Sequence, residues 1–171
     1  MPTLRVVEAV MKMPVPLVVV TGGEPALQRR EVARLARELH GLGRRVEIET
    51  NGTVPLGELL RLSNRVVVSP KLSNSGMAHD RRLRPDVLRS LAGAPNTAFK
   101  FVVVSPAELP EVDEIVSSFG VSSDKVWIMP EGVDADIVRE RMVHLAEAVA
   151  SRGWSLSGRL HISLWGGTRG R

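Results

Sequence analysis

Short apolar runs recur along this chain at residues 17–20, 46–50, 66–69, 99–104, 126–129 and 160–165, with helical periodicity in the segments between them. Runs of this length predict six strands buried in a sheet. Val32, Leu35, Ala36 and Leu39 make one apolar helix face, and Val138, Met142, Leu145, Ala146 and Val149 make another. Gly41, Gly43 and Gly153 stand where helices should stop, and Ser105-Pro106-Ala107-Glu108 has the capping residue, proline and acid of a helix start. Strand starts lie roughly 20 to 35 residues apart, the length of a βα unit, so a parallel sheet with right-handed crossovers follows. The expected class is α/β, an open sheet or part-barrel, in a single domain of 171 residues.

Composition narrows the function classes. The formal net charge is +4 and the basic residues are scattered, the densest group being Arg81, Arg82 and Arg84. With three Trp, three Phe and no Tyr, stacking platforms are scarce, and nucleic acid is not an expected partner. No window approaches the roughly 20 apolar residues that span a bilayer, and the stretch MPTLRVVEAVMKM lacks the apolar core of a signal peptide; a cytoplasmic location is expected. There is no cysteine, which removes disulfides, cysteine nucleophiles and thiolate ligands for zinc or iron from the chemistry of these residues.

Polar and glycine-rich segments follow the strands. After the first comes Thr21-Gly22-Gly23-Glu24-Pro25, after the second Glu49-Thr50-Asn51-Gly52, after the third Ser69-Pro70-Lys71, and after the fifth Met129-Pro130-Glu131-Gly132; the fourth contains Lys100 and the sixth His161. In parallel α/β folds these carboxyl ends form one face, where ligands bind. Gly22-Gly23 admits a ligand close to the backbone and also fits a plain tight turn. Asn51-Gly52 is an ordinary turn pair. Glu47 and Glu49 share one side of their strand and require solvent or a cation there. Lys71 and Lys100, expected to be buried, pair with carboxylates or meet a ligand. His161 is a core histidine or a binding group, whereas His40, His79 and His144 read as surface residues. The tail from Trp165 folds back over the site or frays.

Together and in this order, the strings VVVTGGEPALQ, VEIETNGTVPL, VVVSPKLSNSG, FKFVVV, VWIMPEG and RLHISLWGGTRGR resemble the 7-carboxy-7-deazaguanine synthase family, radical S-adenosylmethionine enzymes of queuosine and deazapurine biosynthesis. The resemblance implies a partial (βα) barrel of the radical S-adenosylmethionine type without its first strand, the chain being the C-terminal majority of that core. It implies that Gly22, Gly23 and Glu24 line the amino-acid end of S-adenosylmethionine, that Ser69, Pro70 and Lys71 lie on its ribose side and Met129, Pro130, Glu131 and Gly132 near its adenine, and that Glu49 orders the same pocket. Thr21, His161 and the C-terminal carboxylate on Arg171 would bind the pterin substrate. The implied reaction is a ring contraction of 6-carboxytetrahydropterin, with magnesium holding the substrate carboxylate, in a homodimer.

The family also carries three cysteines that hold a four-iron, four-sulfur cluster, and then a magnesium ligand, ahead of the region matched by Thr3. This chain has neither, so it is expected to be inactive alone: a fragment, one half of a split enzyme completed by an N-terminal partner, or a degenerate protein that keeps the pocket. The alternative from another class is a non-catalytic S-adenosylmethionine- or tRNA-binding module.

Overall fold

Every apolar run but the last folds as a strand. The structure, a computed structural model, describes residues 3–168. In chain order come α1 (Thr3–Met11), β1 (Leu17–Val20), α2 (Arg29–Gly41), β2 (Arg45–Thr50), α3 (Leu59–Leu62), β3 (Arg65–Val68), α4 (His79–Arg82), α5 (Pro85–Ala92), β4 (Thr97–Val103), α6 (Leu109–Phe119), β5 (Val126–Pro130), α7 (Ala135–Ala150), β6 (Ser155–Leu156) and α8 (Leu160–Trp165). The six strands form one sheet in sequential order β1-β2-β3-β4-β5-β6. Every pairing is parallel.

Side-chain alternation gives the sheet two unlike faces. Register aligns Val46, Ile48, Val66, Val68, Phe99, Phe101, Val126 and Ile128 on one face. All are fully buried, in one cluster with Leu39 of α2, Leu59 of α3, Leu88 of α5, Val112 of α6 and Leu145 of α7. Each such side chain contributes about 1.5–3 kcal/mol by leaving water. The opposite face carries Val19, Glu47, Glu49, Arg65, Lys100, Val102, Trp127 and Met129, exposed or half-buried around the buried Val67 and Ala98. A sequential parallel sheet with helices on one side curves as a part-barrel, and this second face is its concave lining.

The expected sixth strand, residues 160–165, is instead the helix α8, and β6 is the short segment Ser155–Leu156. The carbonyl of Ile128 in β5 already accepts from the N–H of Ser157, which completes the ladder before residue 160 is reached. Residues 157–159 then leave the sheet, and Arg159 donates to the Gly132 carbonyl at 2.9 Å, which ties the start of α8 to the loop after β5. Leu160, Ile162 and Leu164 alternate as in a strand, but only Ile162 is buried.

At Gly52 the turn after β2 runs at φ +73°, and an added Cβ would lie 2.8 Å from Leu88 Cδ2 and 3.0 Å from Val68 Cγ1. Backbone strain and overpacking act together there, so Gly52→Ala should cost about 2 kcal/mol or more. A urea midpoint equal to that of the parent protein would refute this account of the turn.

Candidate functional site

The turn after β1 is built on one buried carboxylate. Glu24 is 8% exposed. Its Oε1 accepts from the Ala26 N–H at 3.0 Å and the Thr50 hydroxyl at 2.7 Å, and its Oε2 accepts from the Asn51 N–H at 2.8 Å. Pro25, without an N–H, opens the 3-10 turn Pro25–Gln28 that leads into α2. Glu24 thereby binds the end of β1 to the end of β2 and leaves Gly22 and Gly23 to form the surface. Their φ values are +85° and +54°, and an added Cβ on either would meet no protein atom within 4 Å. The result is an open stretch of backbone whose amide and carbonyl groups are not covered by side chains.

Glu49 has the same functional group in a different setting. It points into the concave face, where Oε2 accepts from the Thr21 hydroxyl at 3.1 Å and Oε1 accepts from Lys100 Nζ at 3.0 Å. Its side chain is 34% exposed and that of Lys100 is 20% exposed. The Lys100 ammonium therefore reaches across β3 to its carboxylate, as the ion-pair reading of that lysine expects. Glu47, half-buried on the same face, lies in register with Arg65.

The third segment, Ser69-Pro70-Lys71, meets the fifth in space. Ser69, Pro70, Lys71, Leu72, Asn74, Ser75, Val102, Val104 and Glu131 line a cavity of about 320 Å³ at the carboxyl ends of β3, β4 and β5. Lys71 is exposed, contrary to the expectation that it is buried, because the chain has left the sheet when it reaches this residue. Glu131 is fixed by Arg141, whose Nη1 donates to its carboxylate and its carbonyl, each at 2.6 Å. Met129 is half-buried and Pro130 buried. Gly132, at φ +149°, would place a Cβ 2.9 Å from Val138 Cγ2, so its lack of a side chain serves packing against α7.

The Ser69-to-Ser75 loop is held from behind by residues that the motifs do not contain. Arg82 Nη1 donates to the Lys71 carbonyl at 3.1 Å and contacts Glu111 Oε1 at 2.7 Å. Glu111 accepts from the Ser73 N–H and hydroxyl, and Glu108 accepts from Asn74 Nδ2 and the Val104 N–H. The acid of the Ser105-Pro106-Ala107-Glu108 start thus acts one residue further back than a capping box would place it.

His161 lies exposed on α8 rather than within a strand, so it is not a core histidine. Trp165 likewise ends a helix, followed by Gly166 at φ +59°. Arg171 and its carboxylate lie outside the described residues. No cysteine exists to ligate an iron–sulfur cluster, and no group of three or more His, Asp or Glu among the described residues could hold a metal ion. The described residues therefore do not fit an iron–sulfur cluster. No described helix is long and apolar enough to cross a membrane.

A sequential parallel sheet, open on its concave face and presenting a Gly-Gly-Glu cradle at its carboxyl end, defines an α/β partial barrel of the radical S-adenosylmethionine type. The crystal structure of QueE from Escherichia coli superposes with a TM-score of 0.63 at 25% identity, covering 91% of this chain and 62% of that one. A domain of pyruvate-formate lyase-activating enzyme from Bacteroides vulgatus shares the fold, with a TM-score of 0.59 at 13% identity over 83% of this chain and 98% of that one. The chain belongs to the 7-carboxy-7-deazaguanine synthase family. The Pyrobaculum aerophilum 7-carboxy-7-deazaguanine synthase is 37% identical over 156 residues, covering 90% of this chain and 67% of that protein. The Rhodopirellula baltica protein of the same name is 36% identical over 174 residues, covering 95% and 66%. The chain thus spans about two thirds of the length of these relatives. No family model matches it.

Glu111 gives the site a pH dependence. Burial works against its charged form, but the Ser73 hydroxyl and N–H and the Arg82 guanidinium outweigh that, holding the carboxyl below its ordinary value of 4.5. A depressed folded-state value favours the folded chain fully above the unfolded value, and that contribution disappears as pH falls through the folded one. The stability difference between the parent and Glu111→Gln, read from urea melts, should therefore be constant above about pH 5 and shrink below about 4.5. A difference that grows on acidification would contradict the network.

Proposed function

We propose that this chain supplies the S-adenosylmethionine and pterin pocket of a 7-carboxy-7-deazaguanine synthase, which converts 6-carboxytetrahydropterin to 7-carboxy-7-deazaguanine with loss of ammonia. The observation that carries the proposal is the cradle of Gly22 and Gly23, free of side chains and adjoining the carboxylate of Glu49 on the concave face. Family membership supports the same assignment.

In this proposal the Gly22 and Gly23 backbone binds the methionine end of the cofactor, with Glu24 holding the cradle rigid from beneath. Ser69, Pro70 and Lys71 flank the ribose, and Met129 to Gly132 flank the adenine, Glu131 being the residue of that segment that lines the same cavity. Glu49, fixed between Thr21 and Lys100, orients the groups between cofactor and pterin. Thr21 and His161 bind the pterin, with the Arg171 carboxylate assigned the same task. When bound, S-adenosylmethionine supplies the hydrogen-abstracting chemistry, and the chain's own residues place the substrate and keep water away. The thiolates for a cluster and the ligands for magnesium belong to polypeptide other than these 171 residues, and the assembly is a homodimer or a complex with a partner bearing the cysteines.

Titration calorimetry of the native protein with S-adenosylmethionine tests this assignment. Gly23→Val should abolish binding, since its added side chain meets ligand space rather than protein. Because φ +54° also strains a β-branched residue by about 1–3 kcal/mol, a melting curve checks that the variant is folded under the conditions of the titration. His161→Ala should weaken pterin binding about tenfold, the loss of one hydrogen bond, and leave cofactor binding intact. Absence of saturable cofactor binding by the parent, or equal losses of both ligands in His161→Ala, would overturn the assignment.

A further inference from the structure

We propose that Arg82, Glu108 and Glu111 are positioning residues that preset residues 69–76 in the form that receives the ligand. The proposal rests on the reading that this loop grips S-adenosylmethionine. Residues 73–81 are all exposed, so burial does little to hold this stretch. Leu72 at 2% exposure and Leu83 at 5% pin its two ends in the core. Between them the fixed points are polar and converge on the start of α6.

Arg82 has a side chain only 8% exposed, and its guanidinium spans from the Lys71 carbonyl to Glu111. Glu111 accepts from the Ser73 N–H at 3.0 Å and from the Ser73 hydroxyl at 2.7 Å. Glu108 joins Asn74, at 2.9 Å, to the Val104 N–H, at 2.6 Å. Lys71, Asn74 and Val104 all line the 320 Å³ cavity, so Glu108 ties two of its lining residues together directly and Glu111 reaches a third through Arg82. Charge-assisted bonds of this kind are short and directional, which suits them to setting geometry. A loop without them would populate the receptive form only part of the time, and apparent affinity falls in proportion to that fraction.

Ser73→Ala combined with Asn74→Ala separates positioning from mere stability, because it removes the loop's side-chain donors to both acids and leaves the Ser73 N–H on Glu111 and the Arg82–Glu111 ion pair in place. The expected result in the native protein is an unchanged melting temperature, faster amide hydrogen exchange across residues 71–76, and S-adenosylmethionine affinity weakened about tenfold with pterin affinity unaltered. Ser73→Thr, which keeps the hydroxyl, should restore most of the affinity in the presence of Asn74. Glu108→Gln should loosen the same amides from the α6 side. Unchanged exchange overturns the proposal, and so does faster exchange with undiminished cofactor affinity. Failure of the parent protein to bind S-adenosylmethionine would overturn the cofactor assignment instead, and exchange in the variants would then decide alone whether the tether holds the loop.

Discussion

Strands β2 to β5 place every second side chain among the helices and leave the others facing away, and the remaining architecture follows from that division. The helix-side residues Ile48, Val66, Phe99, Phe101 and Ile128 are fully buried and supply most of the cohesion of the sheet. Because they suffice for the core, the concave face is free to carry Glu47, Glu49, Arg65 and Lys100, which an apolar interior would not tolerate unpaired. Parallel order then delivers all the carboxyl ends to one rim. Thr21, Thr50, Ser69 and Glu131 come together because their strands are neighbours: the Ser69 N–H bonds the Thr50 carbonyl and the Glu131 N–H bonds the Val103 carbonyl.

Much of this was legible in the sequence, for identifiable reasons. The first five strands are marked by short β-branched runs bounded by polar turns, and β-branched side chains suit a pleated, buried surface. Residue parity alone placed Glu47 and Glu49 on one face. The failure at residues 160–165 is the known ambiguity of a short apolar run: Leu160, Ile162 and Leu164 repeat with period two, and what overrides that pattern is a ladder already completed by Ser157. The tether behind the third loop was invisible for another reason. Its bonds join Ser73 and Asn74 to acids on a separate element, at separations of 38 and 34 residues, and nothing in local spacing signals such a meeting.

Glu24 and Glu49 show how burial divides one chemistry into two roles. The family resemblance assigns both to the cofactor pocket. Glu24 has its carboxylate occupied by three donors from its own chain and is almost sealed from water, so displacing any of them would leave a buried group unsatisfied at a cost of about 1–3 kcal/mol. Glu49 is held by Thr21 and Lys100 alone and stays half open, with lone pairs still accessible from the concave face. The first therefore serves geometry and the second is available to a ligand. This division also explains how Gly22 and Gly23 keep left-handed backbone without close packing around them. Two successive positive φ values leave the turn little support of its own, and the adjacent latch on Thr50 and Asn51 holds it in place from below. Rigidity thus comes from the buried side of the turn, and the exposed side is left with nothing but backbone to offer.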